Sequence, residues 1–80
     1  MNVTAVESST LSAVAYDENR AILQLEFGSR AIYRYFDVPA SVHAGLIAAA
    51  SKGRYFNLAI RGRFRYAPAR EARVRGREQA

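Results

Sequence analysis

The chain contains no cysteine, no tryptophan, one histidine and two prolines. Without cysteine there are no disulfide staples, no thiolate metal sites and no cysteine nucleophiles, and the composition suits a reducing cytoplasm. His43 alone cannot build a histidine-rich metal site, so no metal or cofactor is expected. Long apolar runs are missing too. The longest uncharged helical stretch, Pro39 to Ser51, is too short and too alanine-rich to cross a bilayer, so no membrane partner is expected. The opening Met1 to Glu7 lacks a basic segment followed by an apolar run, and no signal peptide is expected there.

What is present fits one small domain. Eighty residues bury a single modest core, and a half-apolar composition argues against wholesale disorder. Charge is unevenly placed. Residues 1–51 carry three arginines against five acids, a net of −2; residues 52–80 carry Lys52 and eight arginines against Glu71 and Glu78, a net of +7. Eleven of the twelve basic residues are arginine, the side chain that pairs bidentately with phosphate and stacks on flat rings.

Residues 1–7 read as a loose lead-in. Leu11 to Tyr16 alternates with period two and reads as a first strand. Asp17-Glu18-Asn19-Arg20 is a turn. Ala21 to Phe27 is the clearest strand, with Leu23, Leu25 and Phe27 on one face. Gly28-Ser29 suits a tight hairpin, with glycine taking a positive φ. Ala31 to Phe36 is the third strand, and its register decides what Tyr33 and Tyr35 do. A two-residue loop sets Leu23 opposite Arg34; a three-residue loop sets Leu25 opposite Tyr33 and Leu23 opposite Tyr35. A slip of one residue turns every side chain over. The second register is the easier chemical match and is preferred, with both tyrosines facing the core and Arg34 on the far face.

Pro39 is suited to open a helix, with Asp37 near its positive end. Val42, Leu46 and Ala49 follow helical spacing, and Gly53 is the natural left-handed cap. Phe56 and Ile60 then mark a second short helix docking on the same core, ended by Gly62. A fourth strand competes there, because Phe64 and Tyr66 alternate with Arg63 and Arg65. The expected fold class is α+β: a small antiparallel three-stranded β-sheet, a helix at 39–51 and a short helix at 55–61 (β-β-β-α-α), within a domain at 8–66. Residues 67–80, with Val74 the one aliphatic side chain larger than alanine, read as a flexible basic tail.

An ordered set of short pieces resembles the KTSC domain family: Ser8-Ser9, Val14-Ala15-Tyr16-Asp17, Leu23 to Phe27, Tyr33-Arg34-Tyr35, Val38-Pro39, Ala50 to Asn57 and Ile60-Arg61. That family occurs at the C-terminus of some lysyl-tRNA synthetases and as free-standing bacterial proteins, with a central Tyr-x-Tyr matched here by Tyr33 and Tyr35. The resemblance spans about Val6 to Tyr66. It implies a small α+β domain, and it suggests RNA binding by association.

The residues argue against catalysis. His43 sits among small helix residues and reads as an ordinary exposed or half-buried histidine. The paired acids Asp17-Glu18 form a turn, and neither Gly28-Ser29-Arg30 nor Ser51-Lys52-Gly53-Arg54 is a phosphate loop. Aromatic–arginine interleaving is the stronger signal, because aromatic faces stack on unpaired bases while arginines hold the backbone. The expected nucleic-acid-binding residues are Arg34, Arg54, Tyr55, Arg61, Arg63 and Arg65. The tail arginines Arg70, Arg73, Arg75 and Arg77 would add electrostatic affinity. RNA or single-stranded nucleic acid is therefore the first expected partner. A protein partner or a second copy of the chain, docking on the open sheet face near Ile22, Ile32 and Phe36, is the alternative.

Overall fold

The structure is a computed structural model that describes residues 2–5 and 10–69. Five antiparallel strands form one sheet in chain order: β1 (Asn2–Ala5), β2 (Leu11–Asp17), β3 (Ile22–Phe27), β4 (Ile32–Tyr35) and β5 (Tyr66–Pro68). Between β4 and β5 come α1 (Ala40–Ala48), α2 (Lys52–Tyr55) and a π-helical turn (Phe56–Ile60). The α+β class is as expected, but the sheet has five strands rather than three. Both additions are short edge strands. β1 lies in the supposed lead-in and pairs with β2, Thr4 opposite Val14. Four residues give too little alternation to stand out, and the open edge of β2 supplies the missing hydrogen bonds. β5 extends the sheet past the expected domain end at 66: Ala67 and Pro68 are in the strand and Ala69 is buried. Pro68 is tolerated because β5 is an edge, where a missing N–H costs no ladder bond. The tail from residue 70 onward lies outside the described residues.

The β3–β4 register is the one that aims the tyrosines inward: Leu25 pairs with Tyr33 and Leu23 with Tyr35. Two rows then cross the core face, Val14–Leu25–Tyr33–Pro68 and Tyr16–Leu23–Tyr35–Tyr66. The hairpin has the three-residue loop, closed by Phe27 N–H to the Ala31 oxygen and Arg30 N–H to the Phe27 oxygen, both at 2.8 Å. The positive φ falls on Arg30 (79°) and not on Gly28, because a three-residue loop needs its left-handed residue last.

The helices cover one face of the sheet. Leu11, Val14, Leu23, Leu25, Tyr35, Val38, Leu46, Phe56 and Ile60 form the buried core. α1 begins one residue after Pro39 and ends at Ala48, three residues before its expected end. Asp37 does not serve its N-terminus; with φ 58° the carboxylate turns away and accepts from Arg65 Nη2 at 3.2 Å. Gly53 does not cap α1. It lies in the first turn of α2, where a Cβ would come within 2.5 Å of Thr10 Oγ1, and Ser51 caps that helix by accepting from the Arg54 N–H at 3.2 Å. The second helix therefore starts at 52, not 55, and widens into a π turn at Phe56.

Candidate functional site

Five aromatic rings close a circuit on the β3–β4–β5 end of the core face. Phe27 meets Tyr33 edge-on (6.0 Å between centroids), and Tyr33 meets Tyr66 (5.7 Å). Tyr66 stacks with Tyr35 at 5.5 Å and 28°, Tyr35 meets Phe56 at 5.9 Å, and Phe56 returns to Phe27 at 5.3 Å. Edge-to-face and offset contacts of this kind are the preferred aromatic geometries. The rings line a cavity of about 580 Å³, together with Ser29, Ala31, Arg61 and Gly62. That volume lies within the roughly 300–1,000 Å³ usual for small-molecule sites.

Local sequence explains the wall. Alternation along β4 puts Tyr33 and Tyr35 on the same face, and β5 adds Tyr66 beside Tyr35. The π turn carries Phe56 at its start and Arg61 just past its end, joined by the Arg61 N–H to the Phe56 oxygen at 2.8 Å. Gly62 follows at φ 75°, with none of the described residues within 4 Å of where a Cβ would stand. Among the described residues Arg61 is the one charged side chain on the lining; its Nη1 donates to Asn57 Oδ1 at 3.3 Å.

Burial sets the protonation of the wall. The Tyr35 phenol is pushed up to about 12, first by burial and then by Tyr66 and Tyr33, while Arg61 pulls the other way. Tyr16, outside the pocket, is also raised by burial, then by Glu18 and Asp17; its hydroxyl donates to the Val38 carbonyl. Tyr16 stacks on half-buried His43 at 4.7 Å.

The expected binding residues do not form one surface. Arg61 joins Tyr33 and Tyr35 at the pocket. Arg34 is on the opposite sheet face, its Nε on Gln24 Oε1 at 2.9 Å. Arg63 Nε donates to the Leu58 carbonyl at 2.9 Å, closing the end of the π turn. Arg65 pairs with Asp37 and lies over the Phe36 ring at 5.4 Å. Arg54 and Tyr55 belong to the helical layer, where they line a shallow groove with Ala49, Ala50, Ser51 and Leu58. Phe27, Phe56 and Tyr66 were not expected at a site. The alternation of Phe64 and Tyr66 was the available signal for Tyr66, and nothing in the spacing marked the π turn. Among the described residues no group of three histidine, cysteine or acidic side chains could hold a metal ion, and no helix is long and apolar enough to cross a membrane.

The KTSC domain family model matches residues 7–64. The chain belongs to the KTSC domain family. An uncharacterised protein of Stutzerimonas stutzeri is similar to it, 46% identical over 57 residues that cover 71% of this chain and 80% of that one. A lysine–tRNA ligase of Nostoc punctiforme is 40% identical over 60 residues, 75% of this chain; the matched part is 11% of the ligase. The crystal structure of a KTSC domain protein from Yersinia pestis superposes with a TM-score of 0.82 at 31% identity, over 84% of this chain and 94% of that one. The Tyr-x-Tyr of the KTSC resemblance thus supplies two members of the aromatic circuit, Tyr33 and Tyr35, with Tyr66 between them.

Proposed function

We propose that this KTSC protein is a non-catalytic module that binds RNA or single-stranded nucleic acid. The carrying observation is the aromatic cavity with Arg61 on its lining. Aromatic walls accept the π-face of any unpaired base, and an arginine beside them holds the phosphate backbone. The net +7 of residues 52–80 supplies a sequence-independent attraction to the same polyanion. The occurrence of similar sequence within lysine–tRNA ligases, whose substrate is an RNA, supports the same reading. So does the texture of the open sheet face. Gln24, Glu26 and Arg34 break up Ile22 and Ile32 there, so that face offers less to a protein partner than an apolar patch would.

Titration of a labelled single-stranded RNA at two salt concentrations tests the proposal. Weak binding that falls as salt rises is expected. No binding at low salt would overturn it, and a stable dimer by light scattering that ignores RNA would favour self-association. Replacing Arg70, Arg73, Arg75 and Arg77 with glutamine separates the cavity from the tail. If all binding vanishes with those charges, the folded domain is not the binding surface.

A further inference from the structure

We infer that the aromatic cavity holds a single nucleoside monophosphate unit, base against the tyrosines and phosphate on Arg61, so that it captures a terminal or extruded nucleotide rather than a stacked run. This rests on the nucleic-acid reading above and names the ligand of that site.

Three features select this ligand. Among the described residues the lining carries five rings and one guanidinium, and no acidic side chain. An aromatic cage of this kind otherwise suits a cation, but Arg61 repels one and favours a flat ring bearing an anion. The circuit of rings is closed, each touching the next, so neighbouring bases of a strand stay outside while one enters. The wall is prepared for entry. Tyr66 is 60% exposed on an edge strand and lies at the open side of the cavity. Arg61 is exposed and braced by Asn57. The hydroxyls of Ser29 and the three tyrosines supply both donors and acceptors for a base edge. The Tyr35 phenol keeps its proton at neutral pH, so it can donate.

Calorimetric titration of the intact chain with adenosine 5′-monophosphate, adenosine and ribose 5-phosphate tests this. Saturable binding of the monophosphate is expected, with adenosine several-fold weaker and ribose phosphate weaker still. Tyr66→Ala should weaken monophosphate and adenosine alike, by about tenfold. Arg61→Gln should erase the preference for monophosphate over adenosine and leave adenosine binding in place. Tyr66 is exposed and Arg61 lies on the surface, so both variants keep the core; circular dichroism checks this. Equal binding of ribose phosphate and monophosphate overturns the inference, as does binding indifferent to both substitutions. If single-stranded RNA binds but no mononucleotide does, this inference fails while the general reading stands; if neither binds, both fail.

Discussion

The backbone N–H of Arg61 donates to the carbonyl oxygen of Phe56, five residues back, at 2.8 Å. That one bond converts the end of a helix into a π turn and sets an arginine beside a phenylalanine on the wall of the cavity. Such turns are rare and concentrate at functional sites. Here the turn joins the two halves of the site, because Phe56 belongs to the ring circuit and Arg61 carries the charge.

The first prediction concerns the β3–β4 hairpin. Arg30 sits at φ 79°, where a Cβ is strained and glycine is not. Arg30→Gly relieves that strain, while the extra freedom of glycine in the unfolded chain takes part of the gain back. A net stabilisation of about 0.5–1 kcal/mol is expected from the denaturation midpoint. A loss of stability would show that the Arg30 side chain contributes contacts that outweigh the backbone.

The second concerns the seam between α1 and α2. A Cβ at Gly45 would collide with the Tyr55 ring and hydroxyl. Helix propensity alone would make Gly45→Ala stabilising by about 1 kcal/mol, whereas overpacking costs about 1–3 kcal/mol. The collision should win, for a net loss of about 1–2 kcal/mol. In a Tyr55→Ala background the obstacle is gone, and Gly45→Ala should become stabilising. A double-mutant cycle with no coupling would contradict the close packing of the two helices.

How much of this was legible beforehand follows from where each signal lives. Strand alternation in Leu23, Leu25, Tyr33 and Tyr35 is local, and it carried the core face and the register of β3 and β4. β1 and β5 are short segments that become strands by pairing with a finished edge, so their own residues say little. Gly53 looked like a cap because left-handed caps favour glycine. Its actual constraint is the approach of Thr10, forty-odd residues away in sequence and invisible to any local rule. The cavity was hidden for the same reason. Phe27, Phe56 and Tyr66 come from three elements, and only the sheet order and the π turn bring them together.

The third prediction follows from Tyr35. An unfolded tyrosine ionises near 10, and in the fold burial pushes this one up to about 12. The unfolded chain therefore loses its proton first. The contribution to stability is fully present below pH 10 or so and is lost as pH rises through about 12. Followed by phenolate absorbance, Tyr35 should ionise later than a free tyrosine, with Tyr16 also delayed. Tyr35→Phe should remove a late-titrating component. A titration unchanged by Tyr35→Phe at its late end, while circular dichroism still reports the folded state, would contradict the buried phenol.

The last prediction ranks the arginines. Arg65 is held over Phe36 and on Asp37, Arg63 closes the π turn on the Leu58 carbonyl, and Arg34 is tied to Gln24 on the far face. Among the described residues the Arg61 guanidinium donates to Asn57 alone, and that bond at 3.3 Å is long enough to yield to a phosphate. Charge removed at random from a polyanion binder lowers affinity evenly, since each lost contact reduces the salt slope by about 0.7 on a single strand. Charge removed from a built site does not. Arg61→Gln should therefore weaken single-stranded RNA more than Arg34→Gln, at equal loss of net charge and at both salt concentrations. The gap should persist at the higher salt, where diffuse attraction is screened more strongly than a direct contact beside stacked rings. Equal effects of the two substitutions would reduce the domain to a basic surface and leave the ring circuit as packing alone.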